Sequence, residues 1–286
     1  MMYDAYVMIT LEKSFNYIST KYTIMNTKLI RTVFMLYCAL AASNMLSAQE
    51  ELPKPGKMKP DMSEFWLPQP VIVTPGIITS DEPIPAPSDA TILFDGKDLS
   101  AWKSSREGEA KWIVSDGVFT VKKGTGDIET KEHFNDFQLH LEWKVPAGIT
   151  GSSQARGNSG VFLQGIYEVQ VLDNYGNKTY ANGQAGSIYK QSAPLVNAME
   201  KPGKWNVYDI IYKAPTFTVD GSYRTYPYVT VIHNGVVVQN NTRINGTTPY
   251  IGFPQVEEHG DGPIRLQDHG DPSEAISFRN FWIREL

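Results

Sequence analysis

The stretch Phe137-Gln-Leu-His-Leu-Glu-Trp-Lys-Val145 decides how the chain is read. Phe137, Leu139, Leu141, Trp143 and Val145 share one face, while Gln138, His140, Glu142 and Lys144 share the other. A period of two is the side-chain repeat of a strand with one buried and one polar face. The same alternation returns at 167–172, where Tyr167, Val169 and Val171 oppose Glu168 and Gln170. Residues 230–239 read as a hairpin, because Asn234-Gly235 suits a tight turn with positive φ. Further strands are expected at 112–114, 118–121, 205–212, 263–267 and 275–284. No helix-period segment of useful length follows Ser88. Many short strands at this spacing predict an all-β, antiparallel sandwich or barrel.

Outside these strands the chain changes character. Residues 49–87 carry Pro53, Pro55, Pro60, Pro68, Pro70, Pro75, Pro83, Pro85 and Pro87. Proline removes a backbone donor and fixes φ, so this segment reads as an extended arm or linker. Phe65, Trp66 and Leu67 are its means of docking, and the folded domain is expected to span 88–286. Upstream, Lys28 and Arg31 precede a short apolar run from Thr32 to Ala42, and small residues approach Ala48. That is the layout of a secretory signal peptide over 25–48, cleaved near Ala48. The apolar run is too short to span a bilayer stably. Residues 1–24 lie before the signal and read as an overextended start. The expected location is therefore periplasmic or extracellular, and the mature chain has no membrane span.

Bulk composition narrows the function classes. Hydrophobic residues at 41% and charged residues at 20% describe an ordinary globular protein. The net charge of −5 supplies no basic field for nucleic acid. Cys38, the only cysteine, lies in the segment expected to be removed, so no disulfide, thiolate metal site or cysteine nucleophile remains. There is no internal repeat and no nucleotide-binding glycine loop.

Ordered motifs then narrow the reading further. The opening Ile92-Leu-Phe-Asp-Gly-Lys-Asp-Leu-Ser-Ala-Trp102 is followed by Gly157-Asn-Ser-Gly160 and Tyr167-Glu-Val-Gln-Val-Leu-Asp-Asn174. Next come Gly186-Ser-Ile-Tyr189, Lys201-Pro-Gly-Lys-Trp-Asn206, Ile264-Arg-Leu-Gln-Asp-His-Gly270 and Phe278-Arg-Asn280. In this order the set resembles the 3-keto-disaccharide hydrolase domain family. The resemblance implies a concanavalin A-like jelly roll and activity on glycosides whose sugar is a ketone at carbon 3. It also implies a functional link to a sugar 3-oxidoreductase that makes the ketone. Two stretches look enlarged, 148–157 and 214–228, and both are expected to shape the rim of the groove.

The candidate site starts from Glu168 and Gln170, which point to one side of a strand, with Asp173 at its end. The run Glu-x-Gln-x-x-Asp is similar to the Glu-x-Asp-x-x-Glu strand of concanavalin-like glucanases, but its middle group is an amide. A retaining glycosidase needs two carboxyl groups about 5–5.5 Å apart, which this pattern does not clearly supply. A 3-keto sugar asks for something else: a base for the proton on carbon 2 and a stabiliser for the enolate oxygen. Glu168 is the candidate base. His269, where a strand gives way to a glycine turn, is a candidate acid, enolate donor or metal ligand. Arg156 offers planar donors for a ketone or enolate oxygen. Glu142, Asn158, Gln170, Asp173, Tyr189 and Gln267 are the candidate substrate contacts. A divalent cation would act as a Lewis acid, with Glu142, Glu168, Asp173 and His269 as its candidate ligands; no ligand spacing fixes a site. His133, His140, His233 and His259 read as structural or surface, and Trp102, Trp112, Trp143, Trp205 and Trp282 as core. Two alternatives stay open: a conventional concanavalin-like glycoside hydrolase, and a non-catalytic carbohydrate-binding module.

Overall fold

The structure is a computed structural model describing residues 56–72 and 83–286, together with scattered positions between 16 and 35. Two compact units divide the chain, Met1–Lys57 and Met58–Leu286. In the first, the described positions between 16 and 35 are helical. The expected signal peptide therefore falls largely outside the described residues, and residues 73–82 of the arm do as well. Among the described residues, no helix is long and apolar enough to cross a membrane.

Two two-stranded sheets, Val71–Ile72 parallel to Val196–Asn197 and Thr216–Phe217 antiparallel to Tyr223–Thr225, complete the second unit, whose body is two antiparallel sheets. The larger runs, in spatial order, Val236–Arg243, Tyr228–His233, Trp205–Lys213, Phe137–Lys144, Ser277–Glu285, Val118–Thr120 and Ile113–Ser115. Thr91–Phe94 also pairs with Ser277–Glu285. The smaller sheet runs Trp102–Ser104, Ile128–Thr130, Arg265–Leu266, Asn158–Leu163 and Tyr167–Leu172. Strands adjacent in space are mostly distant in sequence, which is how a jelly roll closes a sandwich. The turn at Asn234-Gly235 has φ of 51° and 77°, as the hairpin reading requires.

Between the sheets, the odd-numbered residues of Phe137–Lys144 meet the odd-numbered residues of Tyr167–Leu172. Phe137, Leu139, Leu141, Trp143, Tyr167, Val169 and Val171 are all buried in one core cluster. Trp102, Trp112, Trp143 and Trp282 are buried as well, whereas Trp205 lies partly exposed beneath Arg279, 4.2 Å from the guanidinium carbon. Two core tyrosines of the larger sheet reach across to the smaller one. Tyr208 Oη donates to the Gln170 carbonyl at 2.8 Å, and Tyr212 Oη donates to Gln164 Oε1 at 2.8 Å. These bonds satisfy the buried hydroxyls and fix the hairpin of the smaller sheet from below.

Tyr167–Leu172 is the last strand of its sheet, yet its outer edge is not open. Gln170 N donates to Ser187 O, Gly186 N to Gln170 O and Tyr189 N to Glu168 O. The 186–189 segment thus takes up backbone groups that an edge strand would otherwise leave free.

Pairing register settles which side chains share the outer face of the smaller sheet. Phe162 lies opposite Glu168, Gly160 opposite Gln170, and Asn158 opposite Leu172. Arg265 lies opposite Phe162 on the next strand. With the odd positions committed to the core, Glu168 and Gln170 must face away from it.

Candidate active site

Above that outer face lies a cavity of about 310 Å³, lined by Asn158, Phe162, Glu168, Gln170, Tyr189, Thr248, Tyr250, Gln267 and His269. Glu168 is its base. Only 5% of the residue is exposed, and no described residue hydrogen-bonds or ion-pairs with its carboxylate. Burial pushes the carboxyl up to about 8, opposed by the charge of Arg265 and reinforced by that of Asp127. Arg265 does not reach it as a partner. Its guanidinium stacks on Phe162, 3.9 Å from the ring centre, and pairs with Asp127 at 2.9 Å.

The space for this carboxylate comes from a missing side chain. A Cβ at Gly160 would lie 2.5 Å from Glu168 Oε1 and 2.9 Å from the Phe162 ring. The glycine of Gly157-Asn-Ser-Gly160 is therefore a notch in which the acid sits.

His269 is held from both sides. The Asn158 side-chain amide donates to Nε2 at 3.2 Å, which leaves the neutral ring's proton on Nδ1. Nδ1 lies 3.4 Å from Asp271 Oδ2. Asp271 in turn pairs with Lys123 at 2.9 Å and accepts from Ser273. Although burial alone would raise its carboxyl, the bonds from His269, Ser273 and Lys123 hold it well below the usual range. An imidazole oriented by a buried carboxylate keeps one tautomer and one ring direction, as general acid or base work requires.

Other walls carry polar groups in want of partners. Asn158 Oδ1, Gln170 Oε1 and Gln267 Oε1 are buried with no hydrogen-bond partner. Such orphans are costly unless a ligand or water completes them. Tyr189 Oη lies 2.6 Å from Tyr180 Oη, and burial keeps its phenol protonated far above the ordinary range. Together these groups give the wall three open acceptors and one protonated hydroxyl.

Three candidates from the sequence are not in this cavity. Glu142 lies on the outer face of the larger sheet and is 2% exposed. There it accepts from Arg279 at 2.6 Å and from Asn280 at 2.9 Å, so this polar face is a second buried layer, away from the cavity. Arg156 Nε pairs with Asp173 Oδ2 at 2.7 Å, and Asp173 is fully buried at the end of its strand. That ion pair ties both groups to each other and leaves neither on the cavity wall. The four-ligand set imagined for a divalent cation is thereby taken apart, with only Glu168 and His269 lining one cavity. Among the described residues, no three His, Cys, Asp or Glu side chains cluster so as to hold a metal ion.

The structure also adds residues that the sequence reading passed over. Phe162, Thr248, Tyr250 and Asp271 come from positions without a periodic pattern to mark them. Asp271 did carry a signal, an acidic residue just past His269-Gly270. The enlarged 148–157 stretch supplies Ser153, Gln154 and Ala155 to a second cavity, which shares Tyr189, Tyr250 and His269 with the first. The 214–228 stretch instead forms a small hairpin whose Phe217 and Tyr223 pack together, and it lines neither this cavity nor the adjoining one.

Over residues 89–284 the chain matches the family described as the 3-keto-alpha-glucoside-1,2-lyase-like domain. The protein belongs to this family. Membership makes it an enzyme of the glycoside-cleaving class. It is 26% identical over 246 residues to a 3-keto-disaccharide hydrolase of Bacteroides thetaiotaomicron strain VPI-5482, covering 71% of this chain and 81% of that one. A crystal structure from Parabacteroides distasonis ATCC 8503, classed provisionally as a glycosyl hydrolase, shares 70% identity. That comparison covers 79% of this chain and 96% of the other, with a TM-score of 0.72. A second structure of the same class from that organism, at 24% identity and a TM-score of 0.50, covers 69% of this chain and 94% of its own, and shares the fold.

Proposed function

We propose that the protein cleaves 3-keto-glycosides by elimination and rehydration, with Glu168 as the base. A ketone at carbon 3 acidifies the hydrogen on carbon 2. Glu168 takes that proton, and the electron pair of the broken C–H bond forms an enolate whose oxygen accepts from the wall, where Tyr189 Oη is a kept donor. The enolate collapses to a carbon 1–carbon 2 double bond, breaking the bond from carbon 1 to the aglycone oxygen. His269 gives that leaving oxygen a proton from Nε2 in its doubly protonated form, held by Asp271 at Nδ1 and with the Asn158 contact opened, and recovers it from the water that follows. Water then adds its oxygen to carbon 1 and a proton returns to carbon 2, so the net result is hydrolysis.

The observation that carries this reading is a single desolvated carboxylate without a partner on the cavity wall. A base works best when its pKa lies near the working pH, and about 8 is such a value. A conventional retaining or inverting glycosidase needs two carboxyl groups across the scissile bond. Among the described residues lining this cavity, Glu168 is the only acid.

The test compares matched keto and unoxidised glycosides on the full chain. The keto substrate should be cleaved with kcat/KM rising with pH toward about 8 as Glu168 loses its proton. Glu168→Gln should lower kcat by about a hundredfold or more. Cleavage of the unoxidised substrate at a similar rate, or full activity in the variant, would overturn the assignment. Because its substrate must first be oxidised, the enzyme would depend on a sugar 3-oxidoreductase. Export belongs to the same proposal: material recovered outside the cytoplasm should begin near Gln49 on N-terminal sequencing.

A further inference from the structure

Lys190 is a buried cation directly behind the cavity wall. It follows Tyr189 in sequence, and its backbone takes a φ of 57°, a region that a residue with a side chain disfavours. An outlier of that kind beside a working site raises the question of what its side chain does. The ammonium ties together stretches of chain that are far apart in sequence. Nζ donates to Tyr250 O at 2.8 Å and to Pro60 O at 3.3 Å, and it pairs with Glu64 Oε1 at 3.3 Å. Three phenol rings surround the same charge, with centres 4.7 Å away for Tyr250, 5.6 Å for Tyr189 and 5.7 Å for Tyr180. Two of the polar contacts come from the proline-rich arm, which precedes position 89, where the family match begins. The arm is nonetheless built into the domain. Phe65 N donates to Asn182 Oδ1 at 3.1 Å, Ala181 N donates to Phe65 O at 2.7 Å, and Asn182 Nδ2 donates to Ser63 O at 3.1 Å. Trp66 meets Tyr180 edge-on with ring centres 6.0 Å apart, and Glu64 and Trp66 both line the second cavity.

We propose that Lys190 is a positioning residue of the active site: tied down by Pro60 and Glu64 of the arm, it holds the Tyr189 hydroxyl and the Tyr250 loop in place on the cavity wall. The proposal rests on the reading of Tyr189 Oη as the donor to the enolate oxygen. Lys190 lines neither cavity, so it touches no substrate and acts through its neighbours. Tyr250 needs such a tie, because it sits in a run without helix or strand, 244–261. The dependence is mutual. A buried ammonium is costly without a counter-charge, so the lysine needs the Glu64 carboxylate, and the arm is drawn onto the domain by the same pair. Since the enolate oxygen carries its charge only as carbon 2 loses its proton, a displaced Tyr189 slows turnover more than it weakens binding.

The full chain and its Lys190→Met, Lys190→Arg and Glu64→Gln variants are assayed on a methyl 3-keto-glucoside, and Lys190→Met is repeated in a Tyr189→Phe background. Lys190→Met keeps the stem and deletes the charge, and should lower kcat about thirtyfold while KM moves less than about threefold. Lys190→Arg, which keeps a cation with donors, should recover most of that loss, and Glu64→Gln should lower kcat about tenfold. With Tyr189→Phe in place, Lys190→Met should cost no more than about a further twofold, because the group it positions is gone. Equal losses in both backgrounds, a rise in KM with kcat unchanged, or wild-type kinetics would overturn the proposal. Hydrogen exchange reads the tie without substrate. The Phe65 and Thr248 amides, each hydrogen-bonded in the structure, should lose protection together in Lys190→Met, while those of Phe137–Lys144 keep theirs. Wild-type protection at either amide would also overturn it. If Lys190→Met loses protection throughout, Glu64→Gln carries the same comparison. If the wild type turns over no keto substrate, the keto-glycoside reading fails, and the exchange result alone decides whether Lys190 holds arm and loop.

Discussion

At position 168 a carboxylate is 5% exposed and has no partner among the described residues, and that has a cost the protein must carry. Its carboxyl titrates at about 8 in the folded chain against an ordinary 4.5, so the folded state binds this proton more tightly than the unfolded one. The resulting stability is complete below about 4.5 and is lost as pH rises through about 8. Glu168→Gln removes the titration. Thermal unfolding should show the variant gaining on the wild type between pH 5 and pH 8.5, by something on the order of a few kcal/mol. A gap that does not change with pH would mean that water reaches the acid. Gly160→Ala tests the notch in the opposite sense. The atoms that the new methyl would meet are the free end of Glu168 and the rim of Phe162, both able to swing aside. Stability should therefore change little, while kcat falls on the order of a hundredfold because the carboxylate is displaced. Much of this was readable in advance. Period two placed Glu168 and Gln170 on one face, and the ordered motifs supplied Asn158, Tyr189, Gln267 and His269. What alternation cannot say is where a side chain goes once it leaves the strand, and so Arg156 and Asp173 gave no sign that they would pair with each other.

Phe137–Lys144 teaches the same lesson at the scale of an element. Its alternation separated core from non-core faces, yet a polar face is not always a wet one. His140 is 1% exposed, stacked on Trp282 with ring centres 5.0 Å apart and bonded to Asp209 at 2.7 Å. Ile84, from the end of the arm, donates its backbone N–H to Glu142 at 3.3 Å and accepts from Asn280 at 2.8 Å. Burial would raise the Glu142 carboxyl, but His140, Asn280 and Arg279 outweigh it and hold it down to about 2. The stability it contributes is present above about 4.5 and is lost as pH falls toward 2. Glu142→Ala should cost about 3 kcal/mol in denaturant unfolding, because its buried donors lose their acceptor. Below the melting transition kcat/KM should hold. A selective loss of kcat/KM in a stable variant would return Glu142 to the site.

For the whole molecule, the sandwich followed from strands that need a partner layer for one apolar face, and the sequence showed enough of them to demand two sheets. Thr91–Phe94, Trp102–Ser104 and Ile128–Thr130 were not among the expected strands, and each is only three or four residues long. The arm was legible as extended chain but not as cleft wall, because proline content speaks of backbone shape and is silent on destination. The 186–189 segment has a consequence for how molecules behave in a crowd. It carries Tyr189 to the cavity wall and, by the same backbone, plugs the margin of the smaller sheet. Loosening it, for instance with Gly186→Pro, which deletes the N–H given to Gln170, should do more than weaken substrate binding. Light scattering should report concentration-dependent clumping, as one molecule's uncovered margin finds another's. The wall of the cavity and the shield against the molecule's own copies are one short piece of chain, so neither can be relaxed alone.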